Sequence, residues 1–180
     1  MNALAREEVG KYLNRQFVSA FQKVGTFRVV GGAKQGGNVA TYFCKPDGSV
    51  LHVVAGPADA ETLLREARWV VETYNLGVLE CGNNLARWKA FFRKAHLNRL
   101  GKERQVETKT LRLPPYTAMP TASTGMMLDR LASWKGLSQQ EQVHYLLASY
   151  PLVRIEKVYA LVFEKILGEK VSTLPVARDN

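Results

Sequence analysis

The stretch "TYFCKPDGSVLHVVAG", residues 41–56, constrains what this chain can fold into more than any other part of it. Two runs rich in Val, Tyr and Phe flank "KPDGS", in which proline presets the first corner of a turn and Asp-Gly follows. That text predicts antiparallel strands at 39–44 and 50–54 joined by a tight turn. A single cysteine, Cys44, stands on the first strand just before the turn. As a small hydrophobe packed on a strand it would fill the usual role of a free cysteine; a reactive role would need a neighbourhood that lowers its pKa.

The flanking text is mostly helical. "LAREEVGKYLNRQF" sets Leu4, Val9, Tyr12 and Leu13 at helical spacing. "QFVSAFQKVG" then changes to a β-like pattern that Gly25 stops, and the five glycines of "GTFRVVGGAKQGGN" suit tight turns rather than a long helix. After the hairpin, "GPADAETLLREARWVVETYN" reads as the strongest helix. Pro57 stands near its start, Asp59 or Ala58 is the cap, and Leu63, Ala67, Val70, Val71 and Tyr74 form its apolar stripe. Asn75 and Gly77 are expected to end it. "NNLARWKAFFRKAHLNRLGKE" follows as a third helix with Leu85, Trp88, Phe91, Phe92 and Ala95 on one face.

From 103 to 123 the periodicity breaks in a connector that holds Pro114, Pro115 and Pro120. "TGMMLDRLASWKG" then reads as a short helix. "LSQQEQVHYLLASYP" is another, with Ser138 and Glu141 spaced as a capping box. "PLVRIEKVYALVFEKILGEK" is the last, with Gly168 as its stop. These last two are expected to lie antiparallel and to pack Tyr145, Leu146, Val158, Tyr159 and Val162.

At 180 residues, 46% hydrophobic and 23% charged, the chain has the composition of one globular domain or a domain with an appended subdomain. No run approaches the roughly 18 apolar residues of a membrane span, and "MNALAREEVG" lacks the regions of a signal peptide. The expected location is cytoplasmic for the chain as given, and exported if the native start lies upstream. Cys44 and Cys81 have 36 residues between them and form no C-x-x-C pair, which excludes a zinc knuckle or a dithiol motif within this sequence. His52, His96 and His144 are scattered, with no H-x-x-x-H or H-E-x-x-H spacing. No G-x-S-x-G elbow is present, and "GGAKQGG" lacks the G-K-[ST] ending of a phosphate cradle. The expectation is therefore no catalytic, cofactor-binding or metal-ligating residue, and no cofactor.

The net charge of +9 is concentrated. Residues 84–112 carry 9 basic and 2 acidic side chains, whereas 1–83 carry 9 and 8 and 113–180 carry 7 and 6. A surface for nucleic acid or anionic lipid would use Arg87, Lys89, Arg93, Lys94, Arg99, Lys102 and Arg104, with Trp88, Phe91 and Phe92 interleaved. The plainer alternative is an amphipathic helix whose aromatics pack inward while its basic residues are solvated, and it is favoured because the two sets largely occupy different faces.

The order helix, strand, glycine-rich link, hairpin, long helix resembles the C-terminal part of a thioredoxin-like domain over roughly residues 5–75. "REEVGKYLNRQFV" is similar to the family's "DEEVAxxLNxxFV", "TYFCKPDGSVLHVVAGP" to its "TFVFLDPDG" and "KVLxxxxG" hairpin, and "ADAETLLREARWVVETY" to its terminal helix. The resemblance implies an α/β fold: a thioredoxin-like sheet, truncated or minimal, with flanking helices and a C-terminal helical extension. The expected units are 1–83, the thioredoxin-like α/β domain; 84–122, the basic helix and connector; and 123–180, the helical extension.

Two parts of the family's redox machinery are missing. Its C-x-x-C would fall upstream of Met1, and the position of its cis-proline falls on Val39. The resemblance without those parts implies a non-catalytic protein-interaction or scaffold module with an unidentified protein partner. The alternatives are a thiol–disulfide oxidoreductase whose C-x-x-C lies upstream of the given chain, and an accessory protein that binds nucleic acid or an anionic membrane surface through 87–112.

Overall fold

A computed structural model describes residues 3–22, 28–30, 33–35, 38–105 and 136–171, with backbone alone described for 28–30 and 33–35. The chain is mixed α/β. After a 3-10 turn at Ala3–Ala5 come α1 (Glu7–Gln16), β1 (Arg28–Val30), β2 (Ala33–Gln35), β3 (Ala40–Cys44) and β4 (Val50–Ala55). The helices α2 (Ala60–Cys81), α3 (Leu85–Arg104), α4 (Gln139–Ser149) and α5 (Ile155–Leu161) follow, and a π-helical turn, Val162–Ile166, continues α5. The strands form two separate antiparallel pairs, β1 with β2 and β3 with β4. The short helix expected over "TGMMLDRLASWKG" and most of the proline connector lie outside the described residues.

The hairpin closes as its turn chemistry dictates. The Gly48 amide donates to Lys45 O at 2.9 Å around Pro46, Gly48 takes a φ of 80° that favours glycine, and the Ser49 amide donates to Asp47 Oδ1. The strand register slips between Phe43 and Cys44, which pair with His52 and Val50 and leave Leu51 as the extra residue on β4. A short C-terminal segment pairs with the same end of β4: the Val50 amide donates to Val153 O, and that of Ile155 to Gly48 O.

Strand β4 is buried nearly throughout and feeds two apolar clusters. Leu51 and Val54 join Val9 of α1, Phe43, Leu63 and Val70 of α2, and Trp88 and Phe92 of α3. Val50 and Val53 join Val143, Leu146 and Leu147 of α4 with Val158, Val162 and Ile166. The C-terminal helices therefore share a core with the hairpin. Of the residues expected to meet there, Leu146, Val158 and Val162 are buried, while Tyr145 and Tyr159 are half-buried.

Two sequence expectations are corrected. Residues 17–22, read as β-like, form no strand, and Val18 and Phe21 are exposed. A β-like pattern does not hold a strand when no other strand pairs with it, and none does among the described residues; the Phe17 amide instead donates to Leu13 O at the end of α1. Helix α2 also runs through Asn75 and Gly77 to Cys81. Gly77 is a point of close helix approach rather than a stop, since a Cβ there would lie 2.6 Å from the Trp88 ring. The Trp88 indole N–H is fixed in turn by Gly82 O at 2.7 Å.

An alanine in a helix normally gains about 1 kcal/mol over glycine. At position 77 that gain should be overrun by overpacking, so Gly77→Ala is expected to destabilise the chain by about 1–3 kcal/mol. A urea midpoint that stayed constant or rose would mean that α2 and α3 do not meet as described.

Candidate functional site

The three histidines that the sequence scatters are brought together by the fold. His52 lies on β4 opposite Phe43, His96 lies on α3 one helical turn beyond Phe92 and two beyond Trp88, and His144 lies on α4. Their exposures are 0%, 1% and 0%. One nitrogen from each ring lies within 4.8 Å of one from each of the others. The ring centroids of His52 and His144 are 5.2 Å apart, those of His96 and His144 5.3 Å. Trp69 of α2 stands edge-on to all three rings.

The outer hydrogen bonds assign the protons. His96 Nε2 lies 3.0 Å from Leu51 O, an acceptor, so Nε2 carries the hydrogen and Nδ1 holds a lone pair. Nδ1 of His144 lies 3.0 Å from that lone pair and must donate to it. The Nε2 of His144 approaches Glu103 Oε1 to 3.4 Å, an ion-pair distance, yet it is buried with no hydrogen-bond partner among the described residues. His52 Nε2 lies 3.2 Å from Glu66 Oε2 and donates to it, which leaves His52 Nδ1 as a second buried nitrogen without a partner.

Glu66 anchors the outer layer. It is buried on α2, and although burial alone would raise its pKa, hydrogen bonds from His52 and Arg99 hold it well below the usual carboxylate range. Arg99 contacts both carboxylate oxygens, at 2.7 and 2.5 Å, and its guanidinium lies 5.0 Å from the centre of the Trp69 ring. Burial pushes His52 down to about 4 against the opposing pull of the Glu66 hydrogen bond, and burial with the neighbouring histidines puts His96 well below its ordinary value. His52 and His96 are therefore neutral imidazoles at neutral pH. Enclosed as they are, the three rings do not meet a substrate from solvent; they present nitrogen donors to one another.

The basic residues of α3 do not act as one surface. Arg99 is committed to Glu66, and Arg93 donates to Ala148 O at the end of α4 at 2.8 Å. Arg87, Lys94, Lys102 and Arg104 are exposed and Lys89 is half-buried, while Trp88 and Phe92 pack inward. The two cysteines are held apart from ionisation as well as from each other in sequence. Cys44 is half-buried on β3, and burial, with Glu156 and Asp47 nearby, pushes its thiol up to about 11. Cys81 is buried at the end of α2.

Large apolar side chains stand exposed where α2 meets α3. Leu76, Val78, Leu79 and Leu85 fall within ten residues, and Leu79 is 82% exposed. No described helix is long and apolar enough to cross a membrane. No family model, curated protein or solved structure matches the chain.

Proposed function

We propose that this chain is a non-catalytic binding domain, a thioredoxin-like protein-interaction or scaffold module. The observation that carries the reading is the exposed apolar group Leu76, Val78, Leu79 and Leu85 at the α2–α3 corner, set against reactive side chains that are shielded. A hairpin followed directly by a long capped helix supports the thioredoxin-like resemblance. The raised pKa of Cys44 opposes thiol chemistry, because the thiolate is the nucleophile.

The test has two arms. The chain should reduce insulin disulfides no faster than a Cys44→Ser/Cys81→Ser control at pH 7.5. A photo-crosslinking residue at position 79 should give a discrete adduct that excess unlabelled chain competes away, and the same residue at exposed Glu61 should not. Turnover that disappears in the Cys44→Ser variant would remove the non-catalytic reading. Equal, unsaturable labelling from positions 79 and 61 would remove the interaction surface.

A further inference from the structure

We infer that His52, His96 and His144 form a binding site for one divalent transition-metal ion of the zinc class, taken up through the Nδ1 atom of each ring. This goes beyond the scaffold reading and is independent of it. The argument is an inventory of six ring nitrogens. Each Nε2 faces an acceptor outside the trio: Glu66 Oε2 at 3.2 Å, Leu51 O at 3.0 Å and Glu103 Oε1 at 3.4 Å. The three Nδ1 atoms are what remain, and two of them lie 3.0 Å apart.

Without an ion two nitrogens of the trio are short of a hydrogen-bond partner among the described residues. The hydrogen between the two close Nδ1 atoms belongs to His144, whose Nε2 stops 3.4 Å from Glu103 Oε1. His52 Nδ1 is buried with no described group to accept from. An unpaired buried polar nitrogen costs on the order of 1–3 kcal/mol, and the trio holds two.

An ion at the three Nδ1 atoms resolves both orphans at once. Every Nδ1 then gives a lone pair to the metal, and every Nε2–H faces its outer acceptor, with the bond to Glu103 closing once the metal takes the place of the His144 Nδ1 hydrogen. Metal-bound histidines are held in this way, with the second ring nitrogen donating to a carboxylate or a backbone carbonyl. Here the acceptors are two carboxylates and one carbonyl, supplied by three different segments.

Size and chemistry agree. One nitrogen from each ring belongs to a set no more than 4.8 Å apart, and such a set shares a point about 2.8 Å or less from each, about 0.7 Å beyond the roughly 2.0–2.1 Å of a zinc–imidazole bond. Neutral imidazoles suit zinc, cobalt, nickel and copper, whereas magnesium and calcium take oxygen donors. Glu66 and Glu103 offset the ion's charge in a site walled by Trp69, Phe43 and Phe92, while Arg99 holds Glu66 in place. The ligands come from β4, α3 and α4, so the ion joins the hairpin to helices on both sides of the undescribed connector.

The experiment uses the full chain stripped with a chelator and then titrated with Zn²⁺ by calorimetry and with Co²⁺ by absorbance and tryptophan fluorescence. The expected result is one ion per chain, a chelator-reversible rise in melting temperature, and partial quenching of the tryptophan emission by Co²⁺ that Trp69→Phe abolishes. His96→Gln and His144→Gln should each weaken Zn²⁺ at least 100-fold. Because either variant can fail to fold, nitrogen NMR of the Zn²⁺-loaded wild-type chain serves as a second measure, and it should show coordination at Nδ1 of all three histidines. Absence of stoichiometric binding, binding that survives in folded His96→Gln/His144→Gln chain, or unshifted Nδ1 resonances would each overturn the site and leave a metal-free histidine network.

Discussion

Arg99→Ala is expected to cost about 3 kcal/mol of folding stability, the low end of what breaking one side of a buried ion pair costs. Arg99 is the cation nearest Glu66, and Glu66 is nearly inaccessible to water, so truncating the arginine leaves a carboxylate in the core. Arg65, 3.2 Å from the same carboxylate but more than half exposed, keeps the loss from the upper end of the range. The arginine also stacks on Trp69, so part of the loss is packing rather than charge. Arg99→Met keeps much of the apolar bulk and isolates the charge.

Combining Arg99→Met with Glu66→Gln should recover most of the loss, because a glutamine oxygen still accepts from His52 Nε2 and no charge is left unpaired. Denaturant midpoints for the two single variants and the double variant measure the coupling directly. If the two single losses simply added, Glu66 and Arg99 would not be acting as a pair. The result bears on the basic stretch as well. A residue that looked like part of a cationic surface would be a core residue, and its loss would unfold the chain rather than weaken a ligand.

The elements were legible where local chemistry decides them. The Pro46–Gly48 turn, the Asp59 cap and the Ser138–Glu141 capping box each act within a few residues, and each is found in place. Of the stripe expected on α3, Trp88 and Phe92 are buried and Phe91 and Ala95 half-buried, whereas Leu85 is exposed because the buried row continues through His96 and Leu100 instead. Residues 17–22 misled because a β-like pattern becomes a strand only if another strand is there to pair with it. Gly77 misled because glycine in a helix has two physical uses, ending it or letting another helix come close, and only the position of Trp88 tells them apart.

The histidine trio was illegible as a site for a different reason. Its members are 44 and 48 residues apart and sit on a strand and two helices, so no spacing rule links them. A weaker signal was present. His52 is enclosed in "VLHVVA", His144 directly follows the buried Val143, and His96 continues the inward Trp88–Phe92 row at steps of four. Each pattern says that the histidine is buried. A buried histidine needs a partner for both of its nitrogens, and three such demands in one chain could be met by one another. Glu66 is marked in the same way, since it interrupts the apolar face of α2 between Leu63 and Ala67.

In the presence of a chelator, the metal-free chain is expected to lose stability as pH falls from about 6.5 to about 4. An unfolded histidine titrates near pH 6.5, whereas in the folded chain His52 is pushed down to about 4. Burial is the main cause, with the Glu66 hydrogen bond opposing it and His144 and Arg99 reinforcing it. The groups facing His52 are Glu66 from α2, His96 and Arg99 from α3, and His144 and Gln140 from α4. Between those two pH values the unfolded chain binds a proton that the folded chain does not.

The contribution is therefore complete above pH 6.5 and gone below about 4, and for His52 alone it amounts to about 3 kcal/mol. His96 is depressed for the same reasons and adds in the same direction. Glu66 acts in a separate window: its depressed pKa stabilises the fold above the ordinary carboxylate range, and that share is lost only at lower pH. Denaturant midpoints at pH 7.5, 6.0 and 4.5 should fall progressively, and His52→Leu should flatten the slope. A wild-type midpoint unchanged over that range would mean that His52 and His96 take up protons in the folded chain as readily as in the unfolded one, and that burial does not hold them neutral.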